Sequence, residues 1–336
     1  MRAMVLDQLA PLSEVPRPLR LADLPKPEPR SDEILLEVGV CGVCHTELDE
    51  IEGRLRPTRM PIVLGHQVIG RVEAVGPQAN RFQVGNRVGV GWIHHSDGSR
   101  EENLSPEFRA TGCDVDGGYA EFMTVPQDYA VAIPDNLSDQ EAAPLMCAGA
   151  IGYRSLRLTS IGDGEALGLM GFGSSAHLVI QTARHLYPNS AVYVFDRSES
   201  VREFALSLGA HWAGGIRDTP PEPLAAIIDT TPVWLPIVES MKKLAPGGRL
   251  VINAIRKVDA DKEELLKLSY HDHLWMEREI KSVANLTRFD ISEFLPLAGE
   301  IPLKPTVTSF PLEEANEALQ SLNSGSVQGS HVLLVR

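Results

Sequence analysis

The spacing of hydrophobic positions divides the chain into three stretches. In residues 1–146 the apolar runs are short and are separated by Gly and Pro, a texture typical of β-structure. Strands are predicted there at 34–40, 67–75 and 87–90. The segment Pro11–Pro29 is rich in proline and is predicted as an extended surface connection.

The middle stretch, residues 151–285, alternates continuous apolar runs with helical spacing. Such runs are typical of strands buried on both faces, so they predict a parallel doubly wound α/β sheet. The strands are predicted at 166–170, 191–195, 225–229 and 249–252, and the helices at 174–187 and 200–208.

The tail, residues 286–336, returns to mixed texture. A helix is predicted to begin near Pro311, and 331–335 forms a closing strand. A last strand so far from the first stretch is expected to rejoin it, which would make the first domain discontinuous.

The length and the net charge of the chain limit its possible functions. The chain has 336 residues, enough for about two domains, and its formal net charge is 31 − 45 = −14. An acidic surface argues against nucleic acid or an anionic membrane as a partner. There is no apolar stretch long enough to span a membrane and no signal-peptide pattern, and four cysteines are too few for a disulfide framework. A cytoplasmic protein is therefore expected.

A glycine-rich turn follows the predicted strand at 166–170. It has the pattern G-x-G-x-x-A and opens a helix, and its residues are Gly171, Phe172, Gly173, Ser174, Ser175 and Ala176. Such a turn lets backbone approach a pyrophosphate at the positive end of a helix.

A carboxylate follows the turn at the expected distance. Asp196 lies 196 − 173 = 23 residues after Gly173, where it would bind the adenosine ribose hydroxyls and favour NAD. Arg197 could accept the 2′-phosphate of NADP, so that cofactor stays possible. The alternative is a glycine turn without a ligand.

Metal-ligand residue types occur in three places. Cys41, Cys44 and His45 lie in the first, His66 in the second and Cys147 in the third. Two cysteines and a histidine with one open position form a known catalytic zinc arrangement. Cys41 and Cys44 also form a C-x-x-C pair, which is equally compatible with a redox pair or half of a structural zinc site. Buried cysteines and a core histidine are the alternative.

These residues also carry a family resemblance. The chain resembles a zinc-containing alcohol dehydrogenase of the medium-chain dehydrogenase/reductase superfamily over nearly its whole length. The matching segments are 41–48 (CGVCHTEL), 52–53, 65–67 (GHQ), 115–121 (VDGGYAE), 171–176 and 244–250 (LAPGGRL). The resemblance implies an α/β protein in which a GroES-like, β-rich catalytic domain (1–150 and 286–336) is split around a Rossmann dinucleotide-binding domain (151–285).

The resemblance implies one catalytic zinc per chain, with Cys44, His66 and Cys147 as its ligands. Many members bind a second, structural zinc on a lobe with four cysteines, but the matching stretch around Trp92–Ser105 has none. No structural zinc is therefore expected. Gln67 stands where the family has a glutamate, which removes a charge near the metal.

Five further residues receive roles from the resemblance. Thr46 matches the relay hydroxyl, and Glu47 matches the acid that orients a ligand. Asp49 stands where many members have a histidine at the outer end of the relay. His45 matches a basic residue at the cofactor phosphates, and Trp92 a pocket-lining aromatic. Thr46 could alternatively be only a helix N-cap.

The function expected is reversible hydride transfer between a primary or secondary alcohol and NAD(P), giving an aldehyde or ketone. The small-molecule substrate would be the main partner, and a homodimer or homotetramer built through the Rossmann sheet is implied. Two alternatives stay open: a zinc-free NADPH-dependent quinone or enone reductase of the same superfamily, and a non-catalytic nucleotide-binding relative.

Overall fold

The computed structural model describes residues 1–301, 303–325 and 328–336. Within these residues, no helix is both long and apolar enough to cross a membrane. The chain forms two compact units. The first comprises Met1–Ala150, Leu286–Glu300 and the described part of Lys304–Arg336, and the second comprises Ile151–Asn285 with Ile301 and Leu303.

The first stretch of the chain is mainly β-structure. Its strands are β1 (Arg2–Leu6), β2 (Leu19–Asp23), β3 (Glu33–Val43), β4 (Ile62–Val63), β5 (Gln67–Val75), β6 (Arg87–Val90), β7 (Ile93–His95), β8 (Arg109–Ala110), β9 (Phe122–Pro126) and β10 (Ala130–Ala132). Its helices are α1 (His45–Ile51), α2 (Asp139–Pro144) and α3 (Ala150–Thr159), with short 3₁₀ turns at Glu102–Leu104 and Gln127–Tyr129 and a π-helical turn at Leu145–Gly149.

The remaining chain alternates strands and helices and then returns to the first unit. These elements are β11 (Leu167–Met170), α4 (Ala176–Leu186), β12 (Val192–Phe195), α5 (Glu199–Ser207), β13 (Trp212–Gly214), β14 (Leu224–Asp229), α6 (Leu235–Lys243), β15 (Leu244–Ile252), β16 (Glu279–Ser282), α7 (Arg288–Glu300), β17 (Val307–Pro311), α8 (Ala315–Asn323) and β18 (Ser330–Leu334). A 3₁₀ segment at Asp259–Lys267, a π-helical turn at Tyr270–Leu274 and a 3₁₀ turn at Leu312–Glu314 complete the set.

The first unit is organised around a mixed sheet in the order β10-β6-β5-β3-β18-β17, with β9 also pairing with β3. The closing strand β18 runs antiparallel to β3, from His331 opposite Val43 to Leu334 opposite Val40. The prediction that the last strand rejoins the first stretch is therefore confirmed. The segment predicted as an extended connection contains β2, which pairs with β1.

The second unit contains a parallel sheet in the order β13-β12-β11-β14-β15-β16. Successive strand residues point to opposite faces, and both faces are buried. Leu167 and Leu169 pack with α4 on one face, whereas Met170 and Ile227 pack with α6 on the other. Burial on both faces explains the continuous apolar runs, and the predicted α/β fold class is confirmed.

This strand order defines where a ligand can bind. The strand order reverses between the adjacent strands β11 and β14. From β11 the sheet continues through β12 to β13 at one edge, and from β14 it continues through β15 to β16 at the other. In doubly wound sheets, ligands bind at this switch point, outside the carboxyl ends of the strands. The glycine-rich turn follows β11, Asp196 follows β12, and Asp229 ends β14.

Candidate active site

The start of α1 presents three of the predicted site residues. Cys44 is the N-cap, with extended backbone, and its N–H donates to Glu47 Oε2 at 2.7 Å. The Cys44 sulfur lies 3.5 Å from Thr46 Oγ1. The alternative in which Thr46 is the N-cap is wrong, because the helix begins at His45 and Cys44 occupies that position.

The residue before His66 is a glycine whose backbone conformation and close contacts disfavour any side chain. Gly65 has φ +97°, and a Cβ atom there would lie 2.4 Å from the Tyr119 ring. The next residue, His66, is 1% exposed, and its Nδ1 lies 2.7 Å from Oε1 of the fully buried Glu47. A carboxylate in this position fixes the orientation of the imidazole and leaves Nε2 as the ligating atom.

Cys147 reaches the same place from a π-helical turn. That turn, Leu145–Gly149, lies between α2 and α3, and such turns are frequent at functional sites. The ligand atoms of Cys44, His66 and Cys147 all lie within 4.8 Å of one another. Among the residues that the structure describes, they are the one group found that could hold a metal ion. The fold thus brings together three segments whose proximity could not be inferred from their spacing in the sequence.

The charges in this group are strongly coupled. A hydrogen bond with Cys147 holds the pKa of the Cys44 thiol well below its usual range, and the same bond raises the pKa of Cys147. Burial alone would lower the pKa of His66, but the Glu47 carboxylate and the Cys44 sulfur raise it well above its ordinary value. A cation bound by these three residues would displace any protons on its ligand atoms.

The donor set fits zinc. Two sulfurs and an imidazole nitrogen are the atoms that zinc prefers, and three protein ligands leave one position open for chemistry. His66 Nε2 is buried and has no hydrogen-bond partner among the described residues, which is costly unless a ligand satisfies it.

The other residues predicted near the metal differ in their surroundings. Trp92 is buried, and its ring packs edge-on against His66 with the centroids 4.8 Å apart. Asp49 is buried and accepts from Arg54 Nε at 2.6 Å, so part of its carboxylate is already engaged. His45 is exposed.

The glycine-rich turn in the second unit fits a dinucleotide. Gly171 has φ +80°, and a Cβ atom there would lie 2.8 Å from Thr231 Cγ2. At Gly173 a Cβ atom would meet nothing within 4 Å, so backbone is open to a ligand. Ala176 is fully buried where α4 packs on the sheet, as the third small position of the motif requires.

Asp196 is oriented by backbone on both sides. Its Oδ2 accepts from Phe172 N at 3.1 Å, and its Oδ1 accepts from Ser198 N at 2.9 Å. These bonds tie the carboxylate to the glycine turn. Arg197, the next residue, is exposed. Ser175 is the N-cap of α4 and gives no side-chain cap, but its Oγ accepts from Asn253 Nδ2 at 3.3 Å. Ser174 lies between Gly173 and this cap.

Several buried charged residues escaped the sequence analysis, and two of them lie near the candidate sites. Glu50 is fully buried, and burial followed by the charge of Glu47 raises its pKa well above the ordinary value. Lys257 pairs with the buried Asp229 at the end of β14. The only available signal for Lys257 was a lysine a few residues beyond a buried strand, and nothing in the short helix α1 marks Glu50 as buried.

The comparisons with known proteins show the family to which the chain belongs. The family description "Alcohol dehydrogenase GroES-like domain" matches residues 30–135. A protein described as "Probable alcohol dehydrogenase AdhA" from Mycobacterium tuberculosis is 41% identical over 329 residues, covering 95% of this chain and 93% of that protein. An "Alcohol dehydrogenase" from Geobacillus stearothermophilus is 32% identical and covers all of both chains.

Solved structures share the fold over the full length. A crystal structure of an NAD-dependent alcohol dehydrogenase superposes with a TM-score of 0.89 at 26% identity, covering 100% of both chains. A cobalt- and zinc-bound thermostable alcohol dehydrogenase from Pyrobaculum aerophilum superposes with a TM-score of 0.85 at 24% identity, covering 100% of this chain and 99% of that one.

Proposed function

The chain belongs to the alcohol dehydrogenases of the medium-chain dehydrogenase/reductase superfamily, and on this premise we propose a zinc-dependent reaction between an alcohol and NAD(P). One observation carries the proposal. The ligand atoms of Cys44, His66 and Cys147 lie within 4.8 Å of one another, and His66 Nε2 among them has no partner in the described residues. A primary or secondary alcohol is converted reversibly to an aldehyde or ketone.

The three ligands would hold a single catalytic zinc. Zinc in such a site would supply Lewis-acid polarisation of the substrate oxygen. Glu47 fixes the His66 ring through Nδ1, which leaves Nε2 available as a ligand. The lobe of residues 92–116 has a single cysteine, Cys113, and no second zinc is proposed.

The hydroxyl of Thr46 moves the proton. Its Oγ1 lies beside the Cys44 sulfur at 3.5 Å, and a hydroxyl can accept one proton while it donates another. Thr46 Oγ1 would therefore accept the proton of the alcohol hydroxyl and donate its own proton onward. Asp49 is the proposed outer acceptor, with one of its oxygens already bonded to Arg54.

The two units divide the work. We assign residues 1–150 and 286–336 to catalysis and residues 151–285 to the cofactor, which supplies the hydride acceptor. Backbone of the turn 171–176 binds the pyrophosphate, and Asp196 binds the adenosine ribose. This carboxylate favours NAD, while Arg197 leaves NADP usable. His45 is assigned to the cofactor phosphates, and Trp92 to a narrow substrate pocket.

A homodimer or homotetramer is proposed from the edge of the parallel sheet. All four residues of the edge strand β16 are exposed. An unpaired edge of this kind is a template for pairing with another chain. Apolar side chains nearby are also exposed, namely Leu274, Trp275, Met276 and Ile280. Sedimentation analysis would show a monomer if this edge stays unpaired.

The decisive experiment measures zinc in freshly purified protein by elemental analysis, together with NAD-linked alcohol oxidation. We expect about one zinc per chain. Replacing Cys44→Ser should remove both the zinc and the activity. The matched control is Cys41→Ser, which changes the other cysteine of the C-x-x-C pair and should leave the zinc in place.

The possible outcomes separate the alternatives. A zinc-free wild-type protein that reduces quinones or enones with NADPH would establish the reductase alternative. A protein that binds NADH without turning over any alcohol, aldehyde or ketone would indicate a nucleotide-binding relative. Zinc loss in Cys41→Ser but not in Cys44→Ser would contradict the ligand assignment.

A further inference from the structure

A buried ion pair lies at the carboxyl edge of the parallel sheet. Asp229 is the last residue of β14 and is fully buried, and Lys257, which follows β15, is 6% exposed. Their side chains are hydrogen-bonded, Lys257 Nζ donating to Asp229 Oδ2. Charged groups are rarely buried unless they are paired, so this pair occupies its place at a desolvation cost.

The lysine also binds the loop that follows β14. Its Nζ donates to the carbonyl oxygens of Thr231 at 2.6 Å and Val233 at 3.2 Å. With Asp229 these use all three protons of the ammonium group. The other carboxylate oxygen, Asp229 Oδ1, accepts from Thr231 Oγ1 at 2.7 Å. Both members of the ion pair therefore bind the loop 230–234, Lys257 through two carbonyl oxygens and Asp229 through the Thr231 hydroxyl. We call this arrangement the clamp.

The clamped loop touches the glycine-rich turn. Thr230 N donates to Met170 O at 2.9 Å, directly before Gly171. Thr230 Oγ1 and Thr231 Cγ2 are the atoms that a Cβ at Gly171 would strike, at 2.9 and 2.8 Å. The loop thus forms one wall of the switch point between β11 and β14, where the dinucleotide is proposed to bind.

We propose that Lys257 and Asp229 are positioning residues that set the affinity for the dinucleotide by fixing the loop 230–234 against the glycine turn. The inference rests on the proposed cofactor site in the second unit. A site that is held in its binding conformation before the ligand arrives loses less freedom on binding. The buried ion pair supplies that rigidity, because moving the loop would break the two bonds from its carbonyl oxygens to the ammonium group and the bond of Thr231 Oγ1 to Asp229.

The test replaces the pair by neutral groups of similar shape, as Asp229→Asn/Lys257→Met. A single change would leave an unpaired buried charge and could prevent folding, whereas the double change avoids it. The control is Lys243→Met, since Lys243 is also a buried lysine of the second unit but lies beside Glu239 at the end of α6 that is remote from the loop 230–234. NADH is titrated and followed by nicotinamide fluorescence, and the melting temperature and zinc content are measured in parallel.

We expect the double variant to fold and to retain its zinc while NADH binds about tenfold more weakly, the equivalent of about 1.4 kcal/mol. KM for NAD⁺ should rise by a similar factor, with kcat within about twofold of wild type, because ground-state binding is lost. Lys243→Met should bind NADH as wild type does.

Equal NADH affinity in the wild type and the double variant would overturn the clamp and leave the proposed function intact. A matching loss of affinity in Lys243→Met would also overturn it, since any buried lysine would then have the same effect. A wild-type protein that binds no NADH would overturn the cofactor site and the clamp together.

Discussion

Two regions of the first unit bury polar side chains, and they satisfy them in different ways. Around Cys44, His66 and Cys147 the donor atoms converge, and His66 Nε2 lacks a hydrogen-bond partner among the described residues. In the lobe of residues 92–116, defined here from Trp92 to Asp116, the buried carboxylate of Glu102 is paired within the chain, although Trp92 Nε1, Glu102 Oε2 and Thr111 Oγ1 have no hydrogen-bond partner among the described residues. We expect the first region to be completed by a metal ion, whereas the second already holds an ion pair.

The lobe centres on the fully buried Glu102. Its Oε1 accepts from Arg288 N at 2.7 Å, and its Oε2 lies 3.5 Å from Arg288 Nε. The guanidinium also donates to Gly98 O at 3.0 Å. Ser96 links the Glu102 carbonyl to the hydroxyl of Tyr129, through bonds of 2.7 and 2.9 Å. An ion pair and hydroxyls thus link separate segments of the chain in this lobe.

Metal removal should affect the two regions differently, and it is the largest effect that we expect. A strong chelator at neutral pH should lower kcat more than about a hundredfold, because Lewis-acid stabilisation of several kcal/mol is lost. The secondary structure should survive, because we expect the lobe to bind no metal. Activity and far-ultraviolet circular dichroism, measured before and after chelation, check both statements.

Adding zinc back should restore the activity, and adding magnesium should not, because two sulfurs and an imidazole suit zinc. Unfolding of the protein on chelation would break the comparison, since it would mean that metal also stabilises the fold.

Acid should act on the lobe through His94. Burial lowers the pKa of this β7 histidine from 6.5 to about 4. Between these values the unfolded chain binds a proton that the folded lobe excludes, so the free energy of unfolding decreases as the pH falls. The decrease approaches about 3 kcal/mol by pH 4. Above pH 6.5 the histidine is neutral in both states, and its contribution is constant.

The measurement compares denaturant unfolding of the wild type and His94→Gln from pH 7 to pH 4, both without metal. Without metal in either protein, zinc release cannot contribute to the difference. The variant should show the shallower pH dependence. Parallel curves for the two proteins would show that His94 is not the group that titrates.

The Glu47 carboxylate, which contacts His66 Nδ1, should affect the affinity for zinc more than the stability of the fold. In Glu47→Gln the charge 2.7 Å from His66 Nδ1 is removed, and zinc should bind about 10- to 100-fold more weakly. Competition with a chromophoric chelator measures this change. Asp49→Asn is the matched control, because Asp49 is a buried carboxylate of the same helix that bonds Arg54 instead. Equal losses in both variants would assign the effect to helix charge in general.

Regular elements of the second unit were predictable because their signal is local. The runs that predicted strands at 191–195 and 225–229 are β12 and β14, displaced by one residue at an end. The strand predicted at 249–252 begins earlier, at Leu244. There the segment before Arg249 is rich in Gly and Pro, residues that disfavour strands, and it lies in a shift of register between the pairs Leu224–Leu244 and Ala226–Arg249.

The candidate site was predictable only through recognised motifs. Nothing local to Cys147 indicates that it meets Cys44, because their proximity depends on a π-helical turn and on the packing of distant segments. The Lys257–Asp229 and Arg288–Glu102 pairs carry no motif. Each joins residues 28 or 186 positions apart in the sequence. Charged residues are expected at the surface, so their burial became evident only in the folded chain.

The smallest expected effect concerns the ion pair that completes the lobe. Arg288→Met removes the bond to Gly98 O and the contact with Glu102 Oε2, but Arg288 N still donates to Glu102 Oε1. A loss of about 1–2 kcal/mol in the free energy of unfolding is expected, less than for a fully buried pair, because the Arg288 side chain is 25% exposed and its backbone N–H still binds Glu102. Zinc content and kcat should stay at wild-type values. Arg100→Met is the control, since Arg100 is largely exposed and lies 3.5 Å from Glu293. A fall in zinc content with Arg288→Met would mean that the two regions are one cooperative structure, and equal stability of both variants would mean that the lobe is completed without its ion pair.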